Sequence, residues 1–147
     1  MQNKSVIIGN LTWNDARWRS TYINPKAGHA YVRKNPGHES LNFKFDKENL
    51  DTDEHIYGFL QYTKPPKEFK DGGIVIFASK APNGNTSIVG IYCDVKIIEP
   101  PIKKPDDFFE NGTYITNLRA NKEFSMIFPE RLDWNRSFFL REKNSIK

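Results

Sequence analysis

Short apolar segments separated by turn residues recur along the chain, and their period is mostly that of a strand. Residues 5–11 are rich in Val and Ile and predict a first strand. Residues 41–46 alternate Leu, Asn, Phe, Lys, Phe, Asp, which predicts a half-buried strand. Residues 56–63 predict another, ended by Pro65 and Pro66 because proline cannot donate to a ladder. Residues 74–78 form a continuous apolar run after Gly72 and Gly73, consistent with a strand covered on both faces. Pro82-Asn83-Gly84-Asn85 predicts a hairpin turn into a strand over 87–98. There Val89, Ile91, Cys93, Val95 and Ile97 share one face and Gly90, Tyr92, Asp94 and Lys96 the other, until Pro100 and Pro101 stop it. Residues 113–118 and 124–128 read as a closing strand pair around 119–123.

Between the first two strands lies a long stretch with no sustained period. It carries two Asn-Pro steps and several glycines, so it reads as loop. Asn14 is placed to cap a short turn at 15–19. Loops of this length in small domains are usually functional. A turn of helix fits 106–110 and a short helix fits 137–144. Six or seven short strands with few helices predict a β-rich α+β domain, a small barrel or strongly curved sheet whose closure hides its edges.

A length of 147 residues predicts one domain, 1–147. Aromatic residues make up 14% of the chain, enough large rings to fill a core despite few aliphatics. No apolar run reaches the roughly 18 residues of a membrane helix, and the first residues lack the apolar centre of a signal peptide. A single cysteine, Cys93, excludes an internal disulfide framework and suits a reducing cytoplasm. Charge is uneven. Residues 16–44 carry Arg17, Arg19, Lys26, Arg33, Lys34 and Lys44 against Glu39 alone, six positive charges minus one, in a chain whose 22 cations and 18 anions sum to +4. A basic window in a near-neutral remainder is what a polyanion-facing patch needs, and a solvated basic loop is the plainer alternative. Those six cations and Lys80 are the candidate backbone contacts to nucleic acid.

No phosphate-binding glycine loop, dinucleotide fingerprint or nucleophile elbow occurs, so no enzyme is expected and no cofactor is implied. His29, His38 and His55 lack zinc-site spacing. His38 beside Glu39 reads either as an acid–base pair or as a loop histidine with a structural hydrogen bond. Asp94-Val95-Lys96 has the D-x-K spacing of a magnesium-dependent nuclease. It lacks a second upstream carboxylate in the expected setting, and a solvated outer face also explains it. Trp13, Trp18 and Tyr22 lie in the loop after the first strand, interleaved with arginines. That composition suits a base-stacking platform, or simply aromatic cover for the mouth of the barrel.

Residues 72–97, GGIVIFASKAPNGNTSIVGIYCDVKI, resemble the central hairpin of PUA-like domains of the EVE and YTH type. Phe77-Ala78-Ser79 and Ile88-Val89-Gly90 are the matching pieces. Residues 37–46 and 57–62 are similar to the N-terminal recognition domain of Mcr-type modification-dependent restriction proteins. The likeness covers about residues 5–98. It implies a small β-barrel with flanking helices that reads a methylated or otherwise modified base, more in keeping with DNA than with RNA. A separate GTPase motor and nuclease subunit would do the cutting, and residues 131–147 would lead toward that motor. The first-strand tryptophan of the YTH-type cage falls nearest Trp13, with Trp18 the alternative; Tyr22, Ser40, Asn42 and Ser79 complete the candidate pocket. Two other classes stand beside this one: the nuclease on Asp94 and Lys96, and a protein-interaction domain with the tryptophans as its hot spot.

Overall fold

Two long strands, paired antiparallel by backbone hydrogen bonds, carry the architecture. The computed structural model describes residues 3–27, 31–45, 54–106, 109 and 111–133. Its strands are β1 (Val6–Leu11), β2 (His55–Gly58), β3 (Gly73–Lys80), β4 (Thr86–Pro105) and β5 (Thr113–Asp133). They form one five-stranded mixed sheet in the order β1-β3-β4-β5-β2, with β1 parallel to β3 and the other neighbours antiparallel. Among the described residues no ladder joins β1 to β2. The flanking helices implied by the resemblance do not appear among the described residues, which hold two 3₁₀ turns, Tyr31–Arg33 and His38–Leu41. No helix among them is long and apolar enough to cross a membrane. The helix expected over 137–144, the motor-ward tail after 133, residues 46–53, and 107, 108 and 110 of the turn expected over 106–110 lie outside the described residues.

The β3–β4 hairpin follows the expected chemistry. Ala81 N–H donates to the Asn85 carbonyl (2.8 Å), and Gly84 sits at φ +89, a conformation glycine adopts without a Cβ penalty. In β3 one face is deeper than the other: Val75 and Phe77 are fully buried, whereas Ile74 and Ile76 are half-buried.

Three expectations are corrected. Of the strand expected over 41–46, the described residues 41–45 form none: Leu41 ends a 3₁₀ turn, and the Asn42 side-chain amide takes the place of a ladder, donating to the Phe59 carbonyl (3.0 Å) and accepting from Phe59 N–H (2.8 Å). Asn117 does the same for Leu60, at 2.7 and 2.8 Å, so the segment after β2 is held by side chains and β2 stops at Gly58. Second, the simple alternation of β4 fails. Register shifts between Ile88 and Gly90, Ile91 and Cys93, and Cys93 and Lys96 re-aim the side chains, so Tyr92 is fully buried and Ile91 is not. Pro100 and Pro101 do not end β4. They fall in the register shift between Ile97 and Ile102, where no ladder bond is required of them. Third, the two closing strands are one strand, β5, with an irregularity at 121–125 where Ser125 Oγ takes the Cys93 N–H (3.0 Å) and donates to the Asn121 carbonyl (2.6 Å).

The core lies on the inner face of this bent sheet. Phe43, Phe77 and Tyr92 meet edge to face, with ring centroids 4.9–5.6 Å apart. Gly90 makes the approach possible, since a Cβ there would stand 2.4 Å from Phe43 Cζ. The Tyr92 hydroxyl donates to the Asn42 carbonyl, and burial pushes its pKa up. Leu11, Trp18, Leu60, Val89 and Leu118 complete the packing.

Candidate functional site

After β1 the chain turns sharply. Arg17 N–H donates to the Asn14 carbonyl (3.0 Å) and Arg19 N–H to that of Ala16 (3.2 Å). Arg17 and Trp18 both take left-handed backbone angles, φ 57 and φ 56. For residues with a Cβ this costs on the order of 1–3 kcal/mol each, and it persists only where surrounding contacts enforce it. Those contacts are visible. The Arg17 guanidinium donates to the Phe128 carbonyl of β5, Trp18 Nε1 donates to the Thr12 carbonyl (3.1 Å), and the Trp18 carbonyl accepts from Phe43 N–H (2.8 Å).

The turn presents two indoles in perpendicular planes, 80° apart with centroids at 6.0 Å. They do not have equal standing. Trp18 is 2% exposed and belongs to the core, whereas Trp13 is half-buried and packs on the core's edge. Asp15 fixes the outer side. Its carboxylate accepts from Trp13 Nε1 (2.7 Å) and from the Tyr22 hydroxyl (2.9 Å), and that second bond raises the Tyr22 pKa.

Two hollows flank the indole pair. The larger, about 150 Å³, is lined by Trp13, Asn14, Asp15, Arg17, Trp18, Val89 and Ile127. Cavities of about this size hold a single six-membered ring. The smaller, about 10 Å³, has Trp13, Asn14, Trp18, Tyr22, Glu39 and Ser40 among its walls. It has room for about one water. Asn14, 3% exposed, lines both. Its side chain does not cap the turn: Nδ2 donates to the Ser20 carbonyl (3.3 Å), and among the described residues Oδ1 has no hydrogen-bond partner.

Four of the six candidate pocket residues, Trp13, Trp18, Tyr22 and Ser40, thus meet around the smaller hollow. Asn42 and Ser79 line neither. Asn42 spends its amide on Phe59, and Ser79 Oγ donates to the Leu11 carbonyl (2.9 Å), so each is 1% exposed and engaged within the fold. Of the candidate backbone contacts, Arg17 lines the larger hollow. Arg17, Arg19, Lys26, Arg33, Lys34 and Lys80 are exposed, and Lys44 is half-buried.

No family model, curated protein or solved structure matches this chain. Function therefore has to be argued from the chemistry of the hollow. Sequence reasoning missed its far wall. Val89 and Ile127 come from β4 and β5, and nothing local in the sequence pairs them with Trp13. Asn14 was visible only as a cap, and its free acceptor is a product of tertiary packing.

The alternative sites are built differently. Asp94 is exposed on a left-handed bulge (φ 54), with Lys96 exposed beyond the buried Val95. Among the described residues no group of three or more His, Cys, Asp or Glu side chains comes together as metal ligands. His38 is engaged within the fold, and the charge of Glu39 opposes the effect of burial on it. Its Nδ1 accepts from Ile115 N–H (3.0 Å), its ring lies between those of Tyr31 and Phe109, and burial lowers its pKa.

Proposed function

We propose that this chain is a non-catalytic nucleic-acid-binding module that takes one unpaired or flipped base, a modified one by preference, into the hollow beside Trp13 and Trp18. The observation that carries the reading is that hollow: one ring in size, walled by two indoles, and rimmed by an arginine. A base inside a duplex has to leave the stack to enter it, at a cost of a few kcal/mol. Stacking on an indole returns about 1–3 kcal/mol, and cation–phosphate contacts supply the remainder. Because the indole planes are 80° apart, a base lying parallel to one is nearly perpendicular to the other. The site is a corner, and a base gains one stacking face from it. A methyl group pressed against the corner adds roughly 0.8 kcal/mol by desolvation.

The finer assignment is a PUA-like domain of the EVE and YTH type, acting on DNA as the specificity element of a modification-dependent restriction system, with a GTPase motor and a nuclease subunit as partners. It is supported by the likeness of residues 72–97 and by the bends that the register shifts impose on β4 and β5. Because Trp18 is 2% exposed, a protein-interaction hot spot would rest on Trp13, and stacking on a base likewise falls to Trp13.

The test is a binding panel at low salt. Matched oligonucleotides, single-stranded and duplex, carry no modification, 5-methylcytosine or N6-methyladenine. Tighter binding of one modified member is the expected outcome. Absence of binding to every member would sink the proposal, and magnesium-dependent cleavage of plasmid would replace it with the nuclease.

A further inference from the structure

The Trp13–Trp18 corner contains one acceptor that the fold leaves unused. Asn14 is almost wholly buried and lines both hollows, and among the described residues its Oδ1 has no partner. Exchanging the amide's nitrogen and oxygen does not relieve this, because the oxygen would then face the Ser20 carbonyl at 3.3 Å. Buried polar groups are nearly always paired, so an orphan needs an explanation. A second irregularity lies in the same turn: Arg17 and Trp18 hold left-handed angles without being glycine. Unpaired acceptors and strained backbone both accumulate where a fold is shaped for a ligand.

We infer that Asn14 Oδ1 reads the ligand's N–H edge, and that the hollow takes the amino-bearing six-membered ring of cytosine or adenine in preference to that of a keto base. The inference rests on the base-binding reading above. Adenine N6 and cytosine N4 are donors, whereas thymine and guanine present carbonyl oxygens at the corresponding positions. At that ring position an amide oxygen attracts the first pair and repels the second, while thymine N3–H and guanine N1–H and N2–H lie elsewhere on the ring edge. The modifications considered above are compatible with this readout. Adenine methylated once at N6 keeps one N–H, and cytosine methylated at C5 keeps its whole amine. Asn14 would supply the polar discrimination that a methyl against an aromatic wall cannot, while the methyl would contribute only its burial.

The experiment keeps the protein intact and changes one atom group of the ligand. Fluorescent single strands carry one central base in a run of abasic nucleotides. The base is adenine or purine, and in a second pair cytosine or pyrimidin-2-one, so that each pair differs by the amine alone. Loss of the amine should weaken binding of the unaltered protein about tenfold in at least one pair, since an acceptor is then left buried and unpaired. Asn14→Ala should bind the two members of that pair equally, with its melting temperature measured alongside. Equal binding of both members by the unaltered protein would overturn the inference and leave base binding standing. That is the result expected if a single water in the smaller hollow satisfies Oδ1. Discrimination that survives in Asn14→Ala would assign the amine to another group and overturn it equally. Binding no tighter than to an all-abasic strand would remove the base-binding reading itself.

Discussion

Two of the molecule's aromatic groups differ in what they leave open. In the first, the His38 ring lies between Tyr31 and Phe109, at interplanar angles of 18° and 4°, and Phe109 stacks on Tyr114 at 26°. Its central polar atom is satisfied, with His38 Nδ1 accepting from Ile115 N–H, and Leu41, Phe109 and Tyr114 are buried together. In the second, Trp13 and Trp18 stand at 80°, the backbone between Asn14 and Arg19 is held left-handed twice, and Asn14, whose Oδ1 is unpaired among the described residues, lines a hollow of about 150 Å³. Ring angle does not separate them, since Phe43, Phe77 and Tyr92 also meet edge to face and are buried. Aromatic content alone therefore does not mark a site. Space together with an unspent hydrogen-bonding group does.

The largest expected effect separates the two tryptophans of the open group. Trp18→Ala removes a core ring and its bond to the Thr12 carbonyl, and should cost about 3–5 kcal/mol of stability in denaturant titration. Trp13→Ala removes a half-buried ring and should leave the melting temperature close to that of the parent, while weakening binding of the preferred oligonucleotide by about 1–3 kcal/mol. The loss should be smaller for the plain oligonucleotide, because only the specific complex fills the corner. Equal destabilisation by both substitutions would make Trp13 a second core residue and end the comparison.

The sheet's central hairpin was legible because its signals are local. The Gly/Asn turn at 82–85 and the apolar run of β3 specify a hairpin without outside help. The basic, aromatic loop was legible as a site neighbourhood for the same reason: Trp13, Arg17, Trp18 and Tyr22 are close in sequence. What failed was long-range. The alternation at 41–46 looked like a strand, but Asn42 bonds Phe59 with its side chain and so removes the ladder that alternation implies. Tyr92 was expected on the outer face of β4, and successive bulges turn it into the core. The proline pair at 100–101 looked like a stop and falls instead where the register has already slipped. Val89 and Ile127 enter the hollow from strands that meet only on folding, with Gly90 opposite Ile127 in the register.

The closed group makes a prediction of intermediate size. Burial holds the His38 pKa below its usual 6.5 in the folded chain. The unfolded chain therefore binds more protons as pH falls through and below that value. The stability due to neutral His38 is fully present above pH 6.5 and is lost as pH drops toward the folded pKa. Protonation would also turn the Nδ1 acceptor into a donor facing Ile115 N–H. His38→Phe keeps a ring in the stack but removes the acceptor, and should cost about 1 kcal/mol at neutral pH. The decline of melting temperature between neutral and mildly acid pH should be shallower in that variant than in the parent. An identical decline in both would place the acid sensitivity elsewhere.

The smallest effect concerns the cations, and it tests whether the open corner is fed by a phosphate path. Arg17 is a poor probe, because its guanidinium also holds the Phe128 carbonyl and its loss would disturb the turn. Arg33 and Lys34 are exposed at the end of the Tyr31–Arg33 turn, so changing both to alanine should alter stability by no more than about 0.5 kcal/mol. On duplex DNA each neutralised phosphate contributes about 0.9 to the slope of log affinity against log salt, and on single strands about 0.7. If both residues contact phosphate, the double variant's slope should be shallower by roughly 1.8 on duplex and roughly 1.4 on single strands. Modified and plain oligonucleotides should lose affinity by the same factor, since phosphate contacts carry no information about the base. That equality contrasts with the unequal loss expected of Trp13→Ala, and the two variants together divide attraction from discrimination. A loss confined to the modified oligonucleotide would move Arg33 and Lys34 into the specific contact. An unchanged slope would show that the strand reaches the corner by another route, and Arg19, Lys26 and Lys80 would be the next exposed cations to change.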